Sequence, residues 1–175
     1  MGRCPVNRLA SVSLSTILLL GAACDKGPSA PSAGNGAPAC GARVTAGAMT
    51  ATIDGVASSG TNVTGQLTCL AGTSPYVLTL STNLAGSELR ISIAESSGIR
   101  PGTFPVVCVD GEGATAYLLA SPFAAWSAGC LWGSGSITLS SWTAGTFEFG
   151  LAPAAAAGAA TGLRSVTSGS FDVTF

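Results

Sequence analysis

From Ala42 onward the apolar residues fall on alternate positions instead of recurring every three or four. Met49, Ala51 and Ile53 alternate with Thr50 and Thr52, and Tyr76, Leu78 and Leu80 with Val77, Thr79 and Ser81. The same period runs through Leu89-Arg90-Ile91-Ser92-Ile93, Ile137-Thr138-Leu139-Ser140, Thr146-Phe147-Glu148-Phe149 and Phe171-Asp172-Val173-Thr174-Phe175. A period of two places one set of side chains on the core face of a strand and the hydroxylated set on the solvated face, the habit of antiparallel sheets. Turn signals separate the runs at Asp54-Gly55, Thr73-Ser74-Pro75, Ala85-Gly86, Arg100-Pro101-Gly102 and Asp110-Gly111-Glu112-Gly113. The spacing predicts an all-β domain, a single antiparallel sandwich or barrel of about eight to ten short strands. Alanine favours helix, but Pro153 and Gly158 interrupt the alanine-rich run 151–160, so that run is expected to be a loop. Phe171, Val173 and Phe175 share a face and should pair the C-terminal segment into the sheet.

The first residues follow a different pattern. Arg3 and Arg8 precede an apolar stretch from Leu9 to Leu20 that ends in Gly21-Ala22-Ala23. That stretch is about twelve residues, against the roughly twenty of a spanning helix, so residues 1–23 read as a signal peptide. Cys24 follows directly. The segment Asp25 to Ala39 (DKGPSAPSAGNGAPA) lacks periodicity and has the composition of a flexible linker, with a coil span of about 20 Å. The expected organisation is therefore a signal peptide (1–23), an attachment cysteine and tether (24–39), and one β-domain (40–175).

Charge narrows the partners. Without residues 1–23 the chain keeps five basic residues (Lys26, Arg43, Arg90, Arg100 and Arg164) against eight acidic ones, a net charge of −3. Nothing in that balance favours nucleic acid or an anionic lipid surface. Charged residues are 9% of the chain, too few for disorder and too poor in helix formers for a bundle.

Cysteine use points the same way. With Cys4 in the signal and Cys24 assigned to lipid, Cys40, Cys69, Cys108 and Cys130 remain, an even number suited to an oxidising compartment. Of the three possible pairings, Cys40–Cys69 with Cys108–Cys130 is favoured, because the Asp54-Gly55 turn lies midway between Cys40 and Cys69 and a hairpin would set them opposite each other. A change in the parity of apolar positions between Val56 and Val63 suggests a bulge near Gly60. No C-x-x-C pair and no histidine supplies metal-ligand spacing.

Two resemblances add to this. Leu20-Gly21-Ala22-Ala23-Cys24 is similar to the lipobox of bacterial lipoproteins, in which the cysteine after the cut receives lipid; ordinary secretory cleavage at the same bond is the alternative. Met49 to Ala57 (MTATIDGVA), Gly133 to Leu139 (GSGSITL), Gly145-Thr146-Phe147-Glu148-Phe149 and Gly169 to Phe175 (GSFDVTF) resemble small exported bacterial lipoproteins whose shared β-domain has no assigned function. That resemblance implies an anchored envelope protein and carries over no catalytic residue.

Catalytic chemistry is hard to assemble. Without histidine neither a Ser-His-Asp nor a Cys-His arrangement can form, and no G-x-S-x-G elbow is present. A two-carboxylate hydrolase could draw only on Asp54, Glu88, Glu95, Asp110, Glu112, Glu148 and Asp172, most of which read as turn or solvent-face residues. No enzyme activity, cofactor or metal is expected. Trp126, Trp132 and Trp142 are the residues with binding potential, since an exposed indole can stack on a sugar or fill a partner's pocket; core packing is the plainer role, and Trp126 and Trp132 are the candidate contacts. Two functions stay open: a non-catalytic envelope lipoprotein displaying a β-domain for protein or cell-wall contacts, or an envelope binder of a small apolar or carbohydrate ligand.

Overall fold

A computed structural model describes residues 37–69, 76–107, 112–129, 131–154 and 158–175. The alternating runs form strands, and so do several shorter segments between them. In chain order these are β1 (Ala46–Ile53), β2 (Val56–Gly60), β3 (Thr64–Cys69), β4 (Tyr76–Leu84), β5 (Ser87–Glu95), β6 (Gly102–Pro105), β7 (Gly113–Ser121), β8 (Ala124–Ala128), β9 (Ser134–Leu139), β10 (Ala144–Pro153) and β11 (Arg164–Thr174). All pair antiparallel in one sheet that is not closed into a barrel and packs as a sandwich. The eleventh strand beyond expectation comes from pieces such as β2 (VASSG) and β6 (GTFP), which carry too few apolar residues to show an alternation.

The sheet runs β2-β1-β11-β10-β8-β7-β5-β4-β3, with β9 and β6 on the flank of β10. β10 is the corner. Its residues 145–150 pair with β9, whereas only Ala152 and Pro153 reach β8. β8 and β9 thus run one after the other along β10, with Gly129 and Trp132 hydrogen-bonded to each other between them. Their other edges pair differently, β8 with β7 and β9 with β6, and there the sheet folds into two facing layers.

Leu78, Leu80, Ile91 and Ile93 of one layer face Ile137 and Phe171 of the other, and the space between them has no volume a water could occupy. The core is filled, with Met49, Leu84, Leu89, Leu151 and Val166 fully buried around it. β11 contributes through a change of parity: Val166 is buried as an even position, Phe171 and Val173 as odd ones. A bulge makes the change, since Thr52 pairs with Thr167 but Thr50 with Ser170, and Ser168 takes φ 51°. A Cβ on Gly169 would lie 2.3 Å from two carbons of the Phe147 ring, so only glycine fits there. As expected from its alternation, β11 pairs with both β1 and β10 up to its end, and Phe175 packs partly buried against the core.

Three expectations are corrected. The run 151–160 is not a loop throughout: Leu151 to Pro153 complete β10, held by pairing with β11 and β8. Cys40 and Cys69 do stand at disulfide distance, with Cα atoms 5.4 Å apart, but not as opposite members of one hairpin. The β1–β2 hairpin ends at the Met49–Gly60 pair without a bulge. Residues 41–44 lie along β3 instead, through Gly41 N to Leu67 O (2.8 Å), Leu67 N to Ala42 O (2.9 Å) and Val44 N to Gly65 O (2.9 Å). The parity change near Gly60 is the passage of the chain from one layer to the other. The Cys108–Cys130 pairing and Cys24 lie outside the described residues.

Candidate binding cleft at the turn end

Four connections meet at one end of the sandwich: Asp54-Gly55, Ala85-Gly86, Pro122-Phe123 and the segment before Arg164. Asp54 and Gly55 have φ 49° and 83°, and Ala85 and Gly86 have 50° and 77°, the left-handed pair that a two-residue hairpin of matching twist requires. Asp tolerates that conformation better than Ala does. β4 leads from Tyr76, paired with Cys69, to Leu84 beside this end, so the Cys40–Cys69 contact and the turns are about 26 Å apart.

Between the turns lies a cleft of about 190 Å³, lined by Ile53, Val56, Ala85, Leu118, Ala120 and Trp126, with Ser87, Asp54 and Arg164 as its polar members. Arg164 is held on two sides. Its guanidinium carbon sits 4.6 Å over the Trp126 ring, and one terminal nitrogen forms an ion pair with Asp54. Asp54 also accepts from Ser165 N (2.8 Å) and donates its own N–H to Ser165 O (3.0 Å), tying the β1–β2 turn to the start of β11. Partial burial works against the charged carboxyl, but the hydrogen bonds from Arg164 and Ser165 and the Arg164 charge outweigh it. The Asp54 pKa therefore lies below its ordinary 3.8. The other guanidinium N–H groups of Arg164 have no partner among the described residues.

The two tryptophans singled out from sequence are in different situations. Trp126 is only 4% exposed, its indole N–H donates to Gly162 O at 3.1 Å, and its ring is capped by Arg164. It is a wall of the cleft and not an open stacking surface. Trp132 is 60% exposed on the connection between β8 and β9, beside exposed Leu131, and does not line the cleft. Trp142 packs partly buried against the core. Phe123 (73% exposed) and Leu163 (81%) add apolar surface to the turn end.

Of the other candidate carboxylates, Asp110 lies outside the described residues. Glu88 pairs with Arg90 at 2.9 Å, Glu95 accepts from Ser97 Oγ, Glu112 accepts from Ser96 N, and Glu148 and Asp172 are exposed. Among the described residues no three Cys, Asp or Glu gather as a metal site would require.

The outer face of the β10 layer carries an alignment invisible in the sequence. Thr103, Thr138, Thr146, Ser170, Thr50 and Ser59 are successive partners across β6, β9, β10, β11, β1 and β2. This row of hydroxyls spans about 24 Å. Thr50 and Ser170 share a hydrogen bond of 2.8 Å, and Thr103 and Thr138 one of 3.0 Å.

No protein-family model, curated protein or solved structure matches the chain, so its function is argued from these residues and this geometry.

Proposed function

We propose that the chain is a non-catalytic, exported lipoprotein of the bacterial cell envelope, anchored through Cys24, that displays a rigid β-sandwich for contacts with envelope proteins or cell-wall material. The observation that carries this is the polarity of the domain. The chain enters through residues 37–40 beside Cys69, while the turn end, with its cleft and exposed Phe123 and Leu163, lies at the other end of β4. A tether at one end presents the other away from the membrane. The charge-free hydroxyl row suits hydrogen bonding to uncharged wall material, and a disulfide between Cys40 and Cys69 suits an oxidising compartment. The signal-like residues 1–23 and the lipobox-like run ending at Cys24 support export and anchoring.

The test is detergent phase partition of the expressed chain. The wild-type protein should enter the detergent phase, and Cys24→Ser should move it to the aqueous phase. Equal partition of the two would reduce the case to plain secretion.

A second function has the cleft in its favour. Binding of a small ligand inside the sandwich has no room in the filled core, but the turn end offers a space whose walls are apolar and whose rim holds a fixed cation.

A further inference from the structure

We propose that the turn-end cleft binds a carboxylate joined to a compact apolar group, with the carboxylate on the unused N–H edge of Arg164 and the apolar group between Val56, Leu118 and Trp126. This rests on the turn end being the presented binding surface. The volume of about 190 Å³ sets the size. It falls below the roughly 300–1,000 Å³ of sites for drug-sized molecules and suits a group of side-chain dimensions. Six of the nine lining residues are apolar, which sets the chemistry of the body.

Arg164 sets the head group. Trp126 beneath and Asp54 at one nitrogen hold its plane before any ligand arrives, so little side-chain freedom is lost on binding. The remaining donors form the planar fork that a carboxylate accepts in two-point fashion. Asp54 already offsets part of the guanidinium charge, which matches a monoanion better than a doubly charged phosphate. A cation is disfavoured here, because the Arg164 guanidinium stands at the rim and already pairs with the cleft's one carboxylate, Asp54. A sugar finds no open indole face, because Arg164 occupies it. Two sources present this chemistry: a free short branched acid and the C-terminal residue of a protein chain.

The experiment uses the full chain purified in detergent and follows the Trp126 indole N–H by NMR, assigned with Trp126→Phe. The probes are 4-methylpentanoate and its amide, then Gly-Gly-Leu with a free and an amidated C-terminus. Saturable shifts are expected for at least one free acid, with its amide about tenfold weaker or worse, the range for losing a charge-assisted hydrogen bond. Arg164→Gln should erase the preference for acid over amide. Ser87→Phe, which fills the cleft and leaves the Arg164–Asp54 pair in place, should abolish binding and keeps the test decisive if Arg164→Gln melts. Binding of 4-methylpentanoate alone assigns a free acid, and binding of the peptide alone assigns a chain terminus. Equal binding of acid and amide, or no saturation by either acid, overturns the proposal. Because it is read on purified protein, its failure leaves the Cys24 partition result standing.

Discussion

Where residues 37–40 enter, the chain is fastened by contacts distant in sequence: Cys40 against Cys69, residues 41–44 along β3, and then Thr45 N to Thr174 O (2.8 Å) on β11. At the turn end, tight local reversals meet around a cleft, and the long-range fastenings there are individual polar contacts: the water-exposed Asp54 link to Arg164 and Ser165, Trp126 Nε1 to Gly162 O, and Ala159 N to Phe123 O. The first arrangement resists opening; the second leaves surface and volume available. The proposed function, a domain tethered at one end that binds with the other, calls for this division, because binding groups are better held by a rigid frame than built into it. Variants should therefore cost much stability when they touch the fastening strands and little when they touch the turn end.

The largest effect is expected from β11. Phe171 and Val173 are buried, the Phe171 ring lies 6.5 Å from that of Phe147, and the strand pairs on both sides. Truncating one buried Phe costs about 3–5 kcal/mol, against a total stability of about 5–15 kcal/mol. Deleting residues 169–175 should abolish the cooperative thermal transition, and Phe171→Ala should lower its midpoint strongly. A deletion variant that melted like wild type would put the core elsewhere. Next comes the Cys40–Cys69 bond, which spans a sequence separation of 29. Loop-entropy reasoning puts its loss at about 3–4 kcal/mol, so Cys40→Ala with Cys69→Ala should lower the unfolding free energy from a denaturant titration by that amount, as should reduction of wild type. No shift in either would mean the entry end is held by backbone pairing alone.

That contrast also explains what the residues reveal before folding. Strands such as β4, β5 and β10 are legible because alternation is a local property, written in nine or ten consecutive residues. The Asp54-Gly55 hairpin is legible for the same reason. The Arg164–Asp54 pair is not, because 110 residues separate its members, and an Asp before Gly reads fully as a turn residue. The burial of Trp126 depends on Arg164 and on Gly162, which is 36 residues away, so no local signal marks it as a wall and Trp132 as exposed. The bulge in β11 did leave a trace: apolar positions that are even at Val166 and odd at Phe171, with Ser168-Gly169 between them. The crossing between layers left one too, in the parity change near Gly60. Such breaks mark where a strand bends or changes layer, but not which distant strand receives it.

The smallest effect should come from the Asp54–Arg164 pair and is read through pH. The Asp54 carboxyl has a folded pKa below its ordinary 3.8, so its contribution is complete above that value and is lost as pH falls through the lowered one. Both side chains are partly exposed, which limits the pair to about 1 kcal/mol or less. Asp54→Asn keeps an oxygen for Ser165 N and tolerates the left-handed turn, so it removes the charge and little else. Its melting temperature should sit one or a few degrees below wild type from pH 7 to about pH 4, with the gap closing as the pH drops below 3.8. Added salt should narrow the gap at pH 7 as well. A gap that did not narrow at any pH below 3.8 would assign the loss to turn geometry instead of charge. A gap many degrees wide would mean that the turn end is fastened as firmly as the entry end, and the division between them would fail.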